Sequence, residues 1–337
     1  MSPVFSKNDF VLCNVPVPKG YPQSQTHCGV ILYKDKVFLS SSPFPNPKRN
    51  IKTIANSLIR KLTKGRYGGH YGEYYENPCL YIGGDSNYPP TNFKLLSPAP
   101  LMEPPAPLYG EPAFNSDPDI FVNNDEICVF FRTTLRRKAS KALNRLFVAH
   151  GRYDDGIFFY NGTQLLLESE APFISPCFKE VGNKWVVTYM DTNSYNDGKT
   201  FGGIYLKIVD RIEDIHDSVN WTRIDITGSK YIPWHMSLFT YCDVLYAIVS
   251  CVQPGIDHKC VQLLGVFSEN LTKMHLCETP LCDMNSYRGS AFVDSHGDFV
   301  LYTTTVHEKV IGNRSVDGRN ILLAQRDFKD ILRMCVD

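Results

Sequence analysis

The sequence predicts an all-β protein, and three observations support this prediction. The 337 residues include 20 Phe and 19 Tyr, which favour strands, together with 23 Gly and 22 Pro, which favour tight turns. A pattern of short strand, turn and apolar strand recurs along the chain. The hydrophobic content of 43% is enough for a large core. We therefore expect many short strands in a single domain.

Each recurring unit begins with small or polar residues and passes through a short strand. It then turns on Asp, Asn, Gly or Lys and returns as a more apolar strand, which is the pattern of a β-hairpin. The hairpins are predicted at 27–44, 116–134, 174–192, 233–252 and 287–306.

A third strand is predicted after each hairpin, at 77–84, 144–151, 202–209, 261–268 and 320–327. Segments 156–168 and 219–228 can supply outer, more polar strands. Because such units cannot bury both faces alone, they stack around a central axis. The sequence thus predicts one five-bladed β-propeller over 1–337, with blades at about 20–95, 112–168, 170–228, 232–282 and 286–335, and with a closing strand at 9–15.

In a propeller the innermost strands begin at the same end of the central channel. The residues predicted to converge there are His27, Asp117, Ser175, His235 and Arg288. Such a ring of polar groups predicts a binding site. The alternative is that Asp117 and Asp119 only cap a turn, as Asp commonly does.

Positive charge is concentrated in two segments without acidic residues, 48–66 and 132–145, although the formal net charge is zero. Both show the apolar spacing of a short amphipathic helix, and we expect both on the side of the channel mouth. They are either solvated basic faces or sites that attract an anionic ligand such as a phosphorylated glycan or a nucleic acid. Tyr67 and Tyr71 can serve as stacking platforms or as part of a lid.

The N-terminus lacks the pattern of a secretory signal, and no apolar run is long enough for a membrane span. The eleven Cys are an odd number and often lie inside apolar runs, which favours reduced thiols and a cytoplasmic location. Cys277 and Cys282 lack zinc-ligand partners at standard spacing. We expect no metal and no cofactor.

Four motifs carry a resemblance to a known group: "NSDPDIF" in the second unit, "SPCFKEVGNKWVVTY" in the third, "PWHMSL" in the fourth and "YRGSAF" in the fifth. Together with the five-unit plan, they resemble the five-bladed glycoside hydrolases of the arabinanase/β-xylosidase and invertase/levansucrase types. The resemblance implies a base or nucleophile Asp in the first blade, an orienting Asp in the second and an acid Glu in the third. Asp117 matches the second position, whereas His27 and Ser175 stand where the other carboxylates would be.

The resemblance favours an enzyme acting on a glycosidic bond, with Asp117 as the essential carboxylate. Glu76 or His235 is the predicted acid/base partner, and Glu168 and Glu170 are further carboxylate candidates. Residues predicted to contact the carbohydrate are His27, Asn77, Arg132, Ser175, Trp234, Tyr287 and Arg288. Arg132 has a second interpretation, as a buried partner of Asp117 or Asp119.

Two other function classes remain open. The first is a glycosyltransferase with a phosphate-bearing donor or acceptor, because two hydrolase carboxylates are missing and basic segments are present. The second is a propeller without catalytic activity that binds an anionic glycan or a nucleic acid.

Overall fold

The computed structural model describes residues 2–18, 24–44, 76–84, 87–97, 101, 114–135, 143–192, 201–216, 220–252, 260–282, 284–305, 310–311, 314–315 and 320–336. This part of the chain is built mostly of strands. In chain order they are β1 (Val11–Leu12), β2 (Ser24–Tyr33), β3 (Lys36–Phe44), β4 (Cys79–Gly83), β5 (Phe93–Leu95), β6 (Phe114–Asn123), β7 (Glu126–Leu135), β8 (Leu143–Asp154), β9 (Ile157–Ser169), β10 (Ile174–Val181), β11 (Lys184–Thr192), β12 (Phe201–Val209), β13 (Thr222–Thr227), β14 (Ile232–Tyr241), β15 (Val244–Val252), β16 (Cys260–Phe267), β17 (Lys273–Leu276), β18 (Ser286–Val293), β19 (Asp298–Thr305), β20 (Val310–Ile311), β21 (Arg314–Ser315) and β22 (Ile321–Asp327).

One α-helix, α1 (Phe328–Val336), and two 3-10 helices, Lys7–Asp9 and Ile212–His216, complete the elements of the described residues. Sequence patterning did not predict α1. No helix in the described ranges is long and apolar enough to cross a membrane.

Within the larger sheets, neighbouring strands are antiparallel except for one parallel pair. Their strand orders are β2-β3-β4-β5, β6-β7-β8-β9 and β1-β22-β19-β18, with an eight-stranded sheet β10-β11-β12-β13-β17-β16-β15-β14. Within the eight-stranded sheet, β13 and β17 run parallel and join two antiparallel halves. Strands are therefore present over the predicted hairpins and third strands, and β1 pairs with β22.

Three of the predicted hairpins have two-residue turns in which both residues have positive φ: Lys34 and Asp35, Asn124 and Asp125, and Cys242 and Asp243. Both central residues of a type I′ turn need this conformation, and Asn and Asp adopt it more readily than most residues. The turn chemistry of the sequence thus accounts for both residues at Asn124 and Asp125, whereas Lys34 and Cys242 are not residues that favour this conformation.

The first strands of the hairpins contact one another in a closed circuit: β2 contacts β6 and β18, β10 contacts β6 and β14, and β14 contacts β18. Between neighbouring sheets or half-sheets lie apolar clusters. Representative members are Phe38 with Phe131, Phe130 with Phe178, Val186 with Met236, Ile248 with Leu301, and Leu39 with Val300. These buried contacts fix the relative positions of the inner strands.

The prediction of a helix over the second basic segment is wrong at both ends of that segment. Arg132 to Leu135 continue β7, and Leu143 to Arg145 begin β8, with Leu135 paired to Leu143 across the two strands. Cross-strand pairing of the flanking residues therefore overrides the helical spacing. The first basic segment (48–66), the middle of the second one (136–142), Tyr67 and Tyr71 lie outside the described residues.

Candidate functional site

The five residues predicted to converge lie a few positions inside the inner strands, where the ladder shifts register. The shifts fall between Thr26 and Gly29, Ser116 and Asp119, Ile174 and Cys177, Pro233 and His235, and Ser286 and Arg288. A bulge leaves residues unpaired and redirects their side chains. These register shifts were not predicted from the sequence.

Three of these residues have a left-handed backbone, with φ of 55° at His27, 56° at Asp117 and 50° at Ser175. This conformation costs a non-glycine residue on the order of 1–3 kcal/mol and clusters at functional sites. The surrounding sheets must therefore hold these three residues in place.

Asp117 is the centre of the cluster. Its Oδ1 lies 3.2 Å from His27 Nε2 and 3.6 Å from His235 Nδ1. Its Oδ2 accepts hydrogen bonds from Arg132 Nε at 2.7 Å and from the backbone N–H of Ser175 at 3.2 Å. Asp117 is fully buried, and His27 and His235 are each only 2% exposed. One oxygen is thus anchored, while the other faces two imidazoles.

Glu76 lies on the far side of His27, with Oε2 at 3.2 Å from Nδ1 of the imidazole. The same oxygen accepts a 2.6 Å hydrogen bond from the Ser116 hydroxyl. His27 is consequently held between two carboxylates, one at each ring nitrogen. Ser116 was not among the predicted site residues, because nothing in the local sequence connects it to Glu76.

The charges of the cluster are set by burial and by neighbouring groups. Burial opposes ionisation of Asp117, but the positive charge of Arg132 and the nearby His27 lower its pKa well below the ordinary value. Burial likewise opposes ionisation of Glu76, and His27 lowers its pKa. Burial holds the pKa of His235 well below its ordinary value. The site therefore presents ionised carboxylates and a neutral His235 at pH 7.

Two aromatic residues border the histidines. The ring of Tyr287 lies 5.1 Å from that of His27 and 4.6 Å from that of His235, measured between centroids. Trp234 meets His235 edge-on at 5.4 Å. Both Trp234 and Tyr287 are partly exposed, so both can contact a ligand above the buried cluster.

The remaining predicted residues differ in their availability. The Ser175 hydroxyl donates to the Met236 carbonyl at 2.8 Å and accepts from the Met236 N–H at 2.9 Å, so it braces β10 against β14. Asn77 is buried and accepts a hydrogen bond from Asn115. Arg132 pairs with Asp117 and also donates to the Pro172 carbonyl. This matches its second interpretation as a partner of Asp117, although the Arg132 side chain is partly rather than fully buried.

Arg288 and the two downstream glutamates are positioned differently. Arg288 is fully buried, and its guanidinium makes no hydrogen bond to the described residues. Its charge lowers the pKa of the buried Asp119, although burial still raises that pKa to about 6. Glu168 pairs with Arg145 on the exposed side of β8 and β9. Glu170 follows β9 directly.

The cluster also has the composition of a metal site. His27, Asp117 and His235 each offer a ligand atom, and these atoms lie within 4.8 Å of one another. Both ring nitrogens of His235 are buried without a hydrogen bond within the described part of the chain, and those of His27 face the carboxylates of Glu76 and Asp117 at 3.2 Å. Two imidazoles and one carboxylate form a common donor set for divalent transition metals. Sequence spacing gave no signal for it, since the three ligands come from three distant strands.

Comparison with protein-family models gives no match, and no curated protein matches either. Among solved structures, an N-acetylgalactosamine deacetylase from F. plautii in complex with blood group B trisaccharide has a TM-score of 0.66 at 14% identity, over 99% of this chain and 97% of that chain. A xylan β-1,4-xylosidase from Bacillus halodurans C-125 has a TM-score of 0.62 at 11% identity, over 91% of this chain and 54% of that chain.

An α-L-arabinofuranosidase from Podospora anserina in complex with cellotriose has a TM-score of 0.57 at 8% identity, over 94% of each chain. At these identities the likeness concerns the fold. The protein has the propeller fold of the glycoside hydrolase-like type, which confirms the resemblance seen in the sequence.

Proposed function

We propose that the protein is a carbohydrate-active hydrolase that removes an acyl group, such as N-acetyl, from a sugar with the help of a divalent metal ion. The observation that carries this proposal is the buried set of His27, Asp117 and His235, with ligand atoms within 4.8 Å of one another. The fold likeness to carbohydrate enzymes, one of them a deacetylase covering nearly the whole chain, supports a sugar as substrate.

The residues around the three ligands fit a metal ion. In many metal sites a carboxylate binds the second nitrogen of a ligating imidazole and fixes its orientation. Glu76 has this relation to His27, at 3.2 Å from Nδ1, which leaves Nε2 for the metal. Arg132 and the Ser175 N–H hold Oδ2 of Asp117, which leaves Oδ1. The low pKa of His235 keeps its ring neutral, as a ligand requires.

A divalent ion bound here would polarise the acyl carbonyl and lower the pKa of a water molecule. The chain's own residues would then position the substrate. Trp234 and Tyr287 border the cluster and offer faces for a sugar ring. The buried walls of the cluster exclude bulk water from the histidines, which strengthens electrostatic interactions within it.

Cleavage of a glycosidic bond is the second candidate function. It is favoured by the two carboxylates, Glu76 and Asp117, which lie on opposite sides of the His27 ring. A glycosidase needs one of its two carboxyls protonated as the acid. Because the pKa values of both Glu76 and Asp117 are lowered, this pair is less suited to that chemistry.

The two basic segments are the basis for the remaining alternatives. These are a glycosyltransferase, a propeller that only binds its ligand, and an acidic glycan or a nucleic acid as that ligand. Those segments lie largely outside the described residues, so no contact supports either alternative. We also infer that the fold has five blades, because the eight-stranded sheet divides at the parallel pair β13 and β17 and the inner strands form a closed circuit.

The test uses the full chain, stripped of metal with a chelator and then reloaded with Zn²⁺, Mn²⁺, Co²⁺ or Ca²⁺. Acetate and reducing ends are measured in parallel on N-acetylated and O-acetylated oligosaccharides. We expect metal-dependent release of acetate, and loss of it in His235→Gln. His275→Gln, at an exposed position of β17, is the matched control and should retain full activity. Release of reducing sugar without acetate and without metal would favour the second candidate instead.

A further inference from the structure

A cavity of about 410 Å³ lies among the ends of the inner strands, opposite the histidine site. Each inner strand contributes to its wall, through Leu32 of β2, Val122 of β6, Lys179 of β10, Thr240 of β14 and Val293 of β18. These residues lie near the last residue of their strands, whereas His27, Asp117 and His235 lie near the first. Because Val122 follows Asp117 by five positions in an extended strand, the two levels are about 15 Å apart. We call this separate space the far cavity.

Lys179 brings a positive charge to the far cavity. It is the one basic residue among the described residues that line this cavity, and it is partly buried. Asp119 and Glu180 act on its ammonium through their charge but not through a hydrogen bond. Oδ2 of Asp119 instead accepts a hydrogen bond from the Phe178 N–H at 2.9 Å, and Glu180 is exposed. The ammonium therefore lies in the cavity without a carboxylate bound to it among the described residues.

Aromatic residues that are fixed by packing form another part of the wall. Phe121 and Trp185 line the far cavity, and the centroids of their rings lie 5.2 Å apart. Phe239 lines it from β14 and stacks on Tyr246 at 5.3 Å. Sites for small molecules usually have about 300–1,000 Å³ and combine apolar walls with a few polar groups. The far cavity thus has the size and the lining for a compact organic molecule.

We propose that the far cavity binds a small organic carboxylate, with the carboxylate group at the Lys179 ammonium and the body of the molecule against the aromatic wall. This site is independent of the proposed function, because none of its lining residues belongs to the histidine site.

Electrostatics favours an anion at this position. A charged group that is taken out of water is unfavourable unless it is paired. Burial accordingly lowers the pKa of Lys179. A carboxylate within hydrogen-bond distance would supply the missing charge in a charge-assisted hydrogen bond. Inorganic phosphate carries the same kind of charge, but it has no apolar body to place against Phe121 and Trp185.

Occupation of the far cavity should stabilise the whole propeller. A ligand there lies between residues of all five inner strands, and these residues come together only in the folded chain. A ligand that binds the folded state alone raises stability with its concentration. We therefore expect the Tm to rise with carboxylate concentration, while metal binding at the histidine site stays unchanged.

The experiment measures binding of benzoate to the full chain by calorimetry and thermal unfolding, at an ionic strength held constant with NaCl. Benzamide is the neutral compound of the same shape, and inorganic phosphate is the anion without an apolar body. We expect benzoate to bind more tightly than either. Lys179→Met should weaken benzoate binding by roughly 10–100-fold, because a hydrogen bond to a charged group is lost. Lys184→Met is the matched control and should bind normally, since Lys184 of the same hairpin pairs with Asp210.

Three results would overturn the proposal. They are a lack of benzoate binding, equal binding of benzoate and benzamide, and undiminished benzoate affinity in Lys179→Met. Phosphate that binds as tightly as benzoate would also contradict it, because the aromatic wall would then contribute nothing. If Lys179→Met does not fold, the comparison of benzoate with benzamide on the unmodified chain decides the question.

Discussion

His27 Nε2 and Asp117 Oδ1 lie 3.2 Å apart although the two residues belong to different sheets, and both have a left-handed backbone at a register shift. The left-handed backbone costs free energy at each of the two residues. The two side chains meet only because the surrounding fold holds both residues in this conformation. A contact made by two strained residues in two separate strands is difficult to explain as a turn requirement. It is the expected result of selection for a site in which an imidazole and a carboxylate face a common ligand.

Replacing Asp117 with Asn should abolish metal binding and hydrolysis. The amide removes the negative charge that the two imidazoles and the metal share. The same change removes the charge that pairs with Arg132, whose Nε lies 2.7 Å from the fully buried carboxylate of Asp117. Breaking a buried pair costs roughly 3–5 kcal/mol, so Tm should also fall. This expectation differs from that for a surface active-site carboxylate, whose removal leaves Tm nearly unchanged.

Calorimetric titration with Zn²⁺ and thermal unfolding measure the two effects of Asp117→Asn separately. Asp125→Asn is the matched control, since Asp125 lies in the turn of the same hairpin and its side chain is 53% exposed. The control should bind metal normally. Full metal affinity in Asp117→Asn would remove Asp117 from the ligand set.

Replacing Glu76 with Gln should weaken metal binding by about 10–100-fold while the fold is retained. Gln keeps an oxygen for the Ser116 hydroxyl but loses the charge that orients His27. Because the defect is in metal affinity, excess metal should restore the rate of acetate release.

The glycosidase alternative predicts a different outcome for the same variant. There Glu76 acts directly on the substrate, and its loss would lower kcat by roughly 10²–10⁴-fold at every metal concentration. Measurement of kcat against metal concentration separates the two functions. Glu168→Gln, on the exposed side of β8 and β9, serves as the control.

The sequence predicted those parts of the fold that depend on local chemistry. The hairpin at Asn124 and Asp125 was predictable because its two residues tolerate the conformation of a tight turn. The ends of the second basic segment, 132–135 and 143–145, were wrongly predicted as helical, because the spacing of Leu135 and Leu143 is also compatible with two paired strands. Helix α1 was missed because it follows β22 without an intervening loop.

The site was predictable as a set of residues but not as a geometry. Polar residues at the start of apolar strands indicated that His27, Asp117 and His235 converge. The register shifts that turn these side chains toward one point depend on pairing with the second strand of each hairpin. No short-range pattern encodes such a shift, and for that reason the donor set was not anticipated.

Replacing Asp191 with Asn should stabilise the protein at neutral pH. Oδ1 of Asp191 is buried without a hydrogen-bond partner among the described residues, and burial raises the pKa of this carboxyl. A raised pKa means that the folded state holds its proton more tightly than the unfolded state. This contribution to stability is therefore present at low pH and is lost as pH rises through the folded pKa.

The Asn variant lacks this titration. Its Tm should equal that of the unmodified chain at acidic pH and exceed it at pH 7, and the difference should develop above the ordinary pKa of Asp, which is 3.8. Thermal unfolding between pH 3 and pH 7 measures the trend. A constant difference across that range would show that Asp191 does not titrate differently in the folded state.

Replacing Phe328 with Ala should destabilise the last sheet without affecting metal binding. Phe328 is fully buried, and its ring stacks on Phe299 at 5.5 Å and meets Phe239 edge-on at 5.6 Å. Loss of a buried Phe costs about 3–5 kcal/mol through lost burial and the cavity left behind. Helix α1 should detach more readily, because Phe328 is its first residue and, like Ile331, is fully buried.

Urea unfolding measures the loss of stability for Phe328→Ala, and limited proteolysis measures the exposure of α1. Lys329→Ala, at the next and exposed position of the helix, should change neither quantity by more than a few tenths of a kcal/mol. Zn²⁺ affinity should be unchanged in the folded fraction, since the cluster of Phe328 does not include the histidine ligands. Lower metal affinity in that fraction would mean that packing at the last sheet and geometry at the site are coupled.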